Sequence, residues 1–304
     1  MKNAIQTNGL VHSYEGKELV INELNLCVPE GSIFGFLGPN GAGKTTTLRL
    51  LLGLIKIQSG EVKIFDQSLA SHRIEILKRV GSLIESPSIY GHLTARENLL
   101  IWQKIYQCPL ARIDEVLQWV GLSGTGKKKA GKFSLGMKQR LSIAISLLHS
   151  PQLLILDEPT NGLDPQGILE MRELLKELNS KHGITILVSS HLLSEIERLV
   201  THVAIIDKGK LKFQGTLQAL TSVQRQSEFL IFDTSDNIQA LHLIGKLGME
   251  GYIDNGRIHT SLMSRQQIAT ANHLIISNGI ELYECATGRN DLESIFMNLI
   301  QHES

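Results

Sequence analysis

Net charge, cysteine and long apolar runs are what this chain has least of. Its 304 residues carry 30 Lys and Arg against 30 Asp and Glu, a formal net charge of zero. That balance argues against a general nucleic-acid binder. The three cysteines, Cys27, Cys108 and Cys285, are far apart, odd in number and at no metal-ligand spacing. They read as buried free thiols in a reducing compartment, not as a disulfide framework. No stretch reaches the roughly 18 uninterrupted apolar residues of a membrane span. The opening Met1-Lys2-Asn3-Ala4 lacks the apolar core of a signal peptide. A membrane role would have to come through a partner. What is present, 42% hydrophobic and 20% charged residues, describes a globular protein long enough for one large domain or two smaller ones.

The most informative stretch is Ile33-Phe34-Gly35-Phe36-Leu37, an apolar run of buried-strand character, followed by Gly38-Pro39-Asn40-Gly41-Ala42-Gly43-Lys44-Thr45 and a helical run from Thr46 to Leu52. Strand, Gly-rich turn and helix match the phosphate-binding loop in letters and in context. Gly38, Gly41 and Gly43 permit positive φ and leave no Cβ to block a phosphate. The loop N–H groups can then converge on phosphate oxygens at the positive end of the helix. Lys44 is placed for the β- and γ-phosphates and the Thr45 hydroxyl for Mg²⁺.

Residues 5–33 read as an antiparallel β region. Tyr14, just before Glu15-Gly16, reads equally as an adenine-stacking aromatic and as an edge-strand tyrosine. Glu61–Phe65 and Val80–Ile84 read as strands with a helix over 74–78 between them, and Glu85-Ser86-Pro87 leaves the sheet. Residues 87–148 read as a helical insert, with Thr94-Ala95-Arg96-Glu97 a capping box. Within it, Lys127-Lys128-Lys129-Ala130-Gly131-Lys132 reads as a solvated loop. Ser134 is placed as the N-cap of the helix that runs through Leu141–Leu148; with Gly136 it makes either a second anion site or a capped core helix only.

Leu153-Leu154-Ile155-Leu156 reads as a buried parallel strand ending in Asp157 and Glu158. Ligands of open α/β sheets bind beyond strand carboxyl ends, so Asp157 suits Mg²⁺ and Glu158 suits polarising a water for attack on a γ-phosphate. Asn161-Gly162-Leu163-Asp164-Pro165 turns into a helix ending near Gly183, and His191 closes the strand Thr185–Ser190. A hairpin over 203–213 completes the domain. From about Thr221 the order β-α-β-β-α-β points to a small ferredoxin-like unit, with a last amphipathic helix over Asp291–Ile300.

The order of these motifs resembles the ATPase subunit of an ATP-binding-cassette (ABC) transporter over roughly residues 5–220. The resemblance implies an α/β P-loop NTPase (RecA-like) core with an antiparallel β subdomain and helical insert. It places the ATP-binding domain at 1–220 and a small C-terminal α+β domain at 221–304. Tyr14 matches the adenine-stacking aromatic, Gly38–Thr45 the Walker A loop with Thr46 following, Leu153–Asp157 the Walker B strand, and Glu158 the catalytic carboxylate. Ser134-Leu135-Gly136-Met137-Lys138-Gln139 resembles the signature motif, Asn161–Asp164 the loop that speaks across a dimer, and His191 the switch histidine.

One position departs: Glu85 stands where the family usually has glutamine, a residue that helps hold Mg²⁺ and faces the membrane partner. Ile84-Glu85-Ser86-Pro87 and the closing Asp291-Leu292-Glu293-Ser294-Ile295-Phe296 resemble the bacitracin and lantibiotic export or immunity subgroup. The resemblance implies ATP hydrolysis with Mg²⁺, a head-to-tail pair with an identical or second ATPase, and a membrane-embedded permease. It implies a peripheral place on the cytoplasmic face of the membrane, and no nucleic-acid partner. Three alternatives stand beside it: a non-transport ATPase of the superfamily acting on nucleic acid or ribosomes, a small-molecule kinase, and a nucleotide-gated binding module without useful turnover.

Overall fold

The computed structural model describes residues 2–14, 18–84, 89–226 and 228–289. Among them the chain separates into two compact units, one reaching to Leu217 and one beginning at Gln218.

The first unit opens with β1 (Asn3–Ser13), β2 (Leu19–Leu24), β3 (Cys27–Pro29) and β4 (Ile33–Leu37), then α1 (Lys44–Leu51), β5 (Ser59–Ile64), β6 (Gln67–Ser68), α2 (Leu69–Leu77) and β7 (Val80–Leu83). The helical insert follows as α3 (Ala95–Tyr106), α4 (Ala111–Trp119) and α5 (Leu135–Leu147). The chain returns through β8 (Leu153–Leu156), α6 (Pro165–His182), β9 (Thr185–Ser190), α7 (Leu193–Ile196), β10 (His202–Asp207) and β11 (Lys210–Thr216), and α8 (Leu217–Gln226) leads out.

Two sheets result. One runs β2-β1-β5-β6 with β3 also on β1, all antiparallel. The other runs β11-β10-β4-β9-β8-β7, parallel except for β11. Every residue of β4, β8 and β9 is buried, as expected of parallel strands covered on both faces. Leu10, Ile21, Phe34, Phe36, Leu48 and Ile155 join strands of both sheets and α1 in one core. The insert is tied to the sheet by α5 against β7: a Cβ on Gly81 would lie 2.4 Å from the Ser146 carbonyl. Only glycine lets the helix come so near.

Several boundaries differ from the sequence reading, each for a local reason. The helix after the Gly-rich loop begins at Lys44, two positions before Thr46. The antiparallel β region expected over 5–33 is interrupted at Asn25 and Leu26, between β2 and β3, just after Glu23 takes φ 51°. The Thr7 hydroxyl fixes that break, donating to the Leu24 carbonyl and accepting from the Leu26 N–H, both at 2.8 Å. β5 stops at Ile64, since Phe65 and Asp66 turn with φ 51° and 62°. The helix expected over 74–78 starts at Leu69, and α7 and α8 were not foreseen. The three cysteines are free and only partly buried.

The second unit runs β12 (Glu228–Thr234), α9 (Asn237–Lys246), β13 (Gly251–Asp254), β14 (Arg257–Ser261), α10 (Arg265–Ser277) and β15 (Leu282–Arg289). Its sheet order is β13-β14-β12-β15, antiparallel throughout, which is the ferredoxin-like arrangement. The β13–β14 hairpin turns at Asn255 and Gly256, with φ 49° and 77°, as a primed two-residue turn needs. Leu230, Phe232, Ile244, Ile258 and Ile275 form its own core. The helix expected over Asp291–Ile300 lies outside the described residues. Among the described residues no helix is long and apolar enough to cross a membrane.

Candidate active site

Strands β4, β9 and β8 are neighbours, so the segments leaving their carboxyl ends meet at one edge of the sheet. From β4 comes the Gly-rich loop. Gly41 and Gly43 take φ 84° and 107°. A Cβ on Gly43 would lie 2.7 Å from Ile21 Cδ1, and one on Gly38 2.3 Å from the Ile206 carbonyl. Pro39 turns the chain, Asn40 and Gly41 form the exposed tip, and Ala42 is buried beneath it. Lys44 is 5% exposed. Its Nζ donates to the Gly38 carbonyl at 2.7 Å and the Pro39 carbonyl at 3.2 Å, and lies 3.5 Å from Glu158 Oε1. Burial holds its pKa below 10.5, against the opposing attraction of Glu158 and Asp157.

From β8 come the two carboxylates. Thr45 Oγ1 donates to Asp157 Oδ2 at 2.8 Å, which links the loop to the strand end. Hydroxyl and carboxylate oxygens side by side are the hard donors that suit Mg²⁺. Glu158 takes the left-handed region with φ 44°, turning its side chain from that of Asp157. From β9 come Ser189, whose hydroxyl donates to Asp157 Oδ1 at 2.5 Å and accepts from the Glu158 N–H at 2.9 Å, and His191, whose Nδ1 lies 3.2 Å from Glu158 Oε2. Ser189 was missed in the sequence. Its signal was a hydroxyl next to last in a strand ending at the same edge as Asp157. On the antiparallel sheet, Tyr14 is 38% exposed with its hydroxyl 3.4 Å from Thr46 Oγ1, and its ring meets His12 edge to face at 4.9 Å.

The chain thus gathers Tyr14, Lys44, Thr45, Thr46, Asp157, Glu158 and His191, and leaves three expected residues elsewhere. Ser134 caps α5, accepting from the Met137 N–H at 3.3 Å. A Cβ on Gly136 would meet Leu163 Cδ2 at 3.6 Å. Asp164 caps α6, accepting from the Gly167 N–H at 2.9 Å. Among the described residues no hydrogen bond or ion pair joins Ser134, Gly136 or Asp164 to the Lys44–Asp157–Glu158 group. Glu85 lies outside the described residues.

Residues 21–161 match the family described as ABC transporter. Over 308 residues, 99% of this chain and 98% of the relative, the chain is 47% identical to the bacitracin transport ATP-binding protein of Bacillus licheniformis. The chain belongs to the ABC transporter family. The lantibiotic transport ATP-binding protein of Streptococcus pyogenes is 44% identical over 207 residues, 68% of this chain and 88% of the relative. Among solved structures, an ATP-binding cassette in its dimeric post-hydrolysis state with ADP and phosphate aligns over 70% of this chain and 98% of its own, with a TM-score of 0.62 and 26% identity. The expected P-loop core with its subdomains is therefore the fold of an ABC cassette, and the chain is an ABC-type ATPase that takes ATP.

Proposed function

We propose that this cassette drives export of a peptide antibiotic of the bacitracin or lantibiotic kind through a separate membrane permease, giving resistance or immunity. The observation that carries the reading is the near full-length likeness, at 47% identity, to a bacitracin transport ATP-binding protein, with the lantibiotic relative beside it.

In this reading the adenine stacks on Tyr14 and the phosphates lie in the loop from Gly38 to Thr46. Lys44, drawn from the Gly38 and Pro39 carbonyls, meets the β- and γ-phosphates. Thr45 and Asp157 would hold Mg²⁺, with Glu85 the further candidate. Bound there, the ion supplies positive charge to the phosphate oxygens. Glu158 takes the proton of the attacking water, and His191 holds the Glu158 carboxylate toward the γ-phosphate.

Ser134, Gly136 and Asp164 belong, in the same reading, to the pocket of a second cassette set head to tail. Each γ-phosphate is then held from both sides, and its cleavage loosens the pair. The permease docks at the groove of about 330 Å³ between the sheet and the insert, which Leu83, Ile84, Trp102, Tyr106 and His149 line. The cassette sits on the cytoplasmic face of the membrane through that contact.

The test is Glu158→Gln. Turnover should fall by at least about 10²-fold while ATP binding persists, as for a lost general base. Phosphate release near the wild-type rate would remove Glu158 from the role.

A further inference from the structure

Ser189 is fully buried one position short of the end of β9. The β8–β9 ladder ends at Leu156 and Val188, so Asp157 and Glu158 lie just beyond regular pairing. The Asp157 N–H is taken by the Leu83 carbonyl on the β7 side, at 2.8 Å. On the β9 side nothing in the ladder remains for the Glu158 N–H, and the Ser189 hydroxyl takes it. That same oxygen contacts Asp157 Oδ1. The polarity is forced: an amide N–H only donates and a carboxylate only accepts, so the one hydroxyl proton must point at Asp157.

We infer that Ser189 is a positioning residue of the hydrolytic site, one hydroxyl fixing both the direction of the Asp157 carboxylate and the backbone turn that aims Glu158. The turn needs such a holder. A non-glycine residue in the left-handed region is strained and persists only where its surroundings over-determine it. Further contacts brace the segment: the Thr160 hydroxyl donates to Glu195 Oε2 at 2.7 Å, the Asn161 N–H donates to the Glu158 carbonyl at 3.0 Å, and Lys44 Nζ and His191 Nδ1 lie 3.5 and 3.2 Å from the Glu158 carboxylate. None of them touches Asp157, whereas the Ser189 hydroxyl is hydrogen-bonded both to the Asp157 carboxylate and to the Glu158 backbone. The inference rests on the roles proposed above for Asp157 and Glu158.

Ser189→Ala deletes one oxygen from a buried strand, and Ser189→Thr restores it. For the alanine variant, kcat should fall about 10–100-fold, the usual effect of removing a partner that orients a metal-ligating carboxylate, with KM for ATP within about threefold. Mn²⁺ titrated against the ADP-loaded chain by paramagnetic resonance, with no turnover involved, should bind the alanine variant about 10-fold more weakly. The threonine variant should recover both. A merely structural role predicts a lowered melting temperature with unchanged Mn²⁺ affinity, and that pattern would overturn the inference, as would an alanine kcat within about twofold of wild type. Glu158→Gln is measured in parallel. If it collapses turnover while Ser189→Ala does not, the inference alone fails; if it too turns over normally, the proposed role of Glu158 fails and the inference with it.

Discussion

Lys44 shows how burial and binding oppose one another at a single side chain. Enclosure lowers its pKa from 10.5, and the nearby Glu158 and Asp157 only partly compensate. Between that lowered value and 10.5, the unfolded chain keeps a proton that the nucleotide-free folded site has lost. The contribution of Lys44 to stability therefore rises with pH through this window. Its proposed use for phosphate runs the other way, because only the ammonium would attract the nucleotide. Nucleotide affinity should begin to decline at a pH where an exposed lysine is still fully charged, and binding in that range should take up a proton. Calorimetric titration at alkaline pH in two buffers of different ionisation enthalpy measures the uptake directly; equal apparent enthalpies would show that Lys44 stays charged in the empty site.

Helix α3 shows the same dependence on charge, at an exposed end. Thr94 and Glu97 form the reciprocal box, with the Thr94 N–H donating to Glu97 Oε2 at 2.6 Å and the Glu97 N–H donating to Thr94 Oγ1 at 3.2 Å. The Thr94 N–H and then Lys129, 3.1 Å from the carboxylate, lower the Glu97 pKa from 4.5 to about 2. The depressed value means that the cap is fully present above 4.5 and lost as pH falls through about 2. Amide exchange in the first turn of α3 should accelerate across that interval, and Glu97→Gln should flatten the acid response. Thr94→Ala should cost about 1 kcal/mol of local protection at neutral pH.

This box, like the Ser134 cap and the whole of β8, was legible in the sequence because its signal is local: a cap three residues from its partner, or an unbroken apolar run. What escaped was set by distance along the chain. The break after β2 depends on Thr7 reaching Leu24 and Leu26, and Ser189 matters through residues 31 and 32 positions away. α7 was missed for the opposite reason, since four residues carry too little periodicity to read.

At the scale of the whole molecule, the decisive fact is the separation of two sets of residues. Lys44, Thr45, Asp157, Glu158 and His191 are chained by direct contacts, while Ser134 and Gly136 sit at the start of α5 against the Leu163 turn. A site divided in this way, if each half is completed by another copy, makes a prediction that a self-contained site does not. Lys44→Ala breaks the loop half and Ser134→Arg the capping half, so each variant alone should fail to retain ATP. In a mixed pair, one pocket combines both lesions and the other combines the intact Lys44 of one copy with the intact Ser134 of its neighbour. Mixing the two variants, each also carrying Glu158→Gln to halt turnover, should therefore restore retention of labelled ATP at one molecule per pair. Two copies that each complete their own pocket would give no gain on mixing, and a mixture that retains no more ATP than the separate variants would refute the shared arrangement for this chain paired with itself.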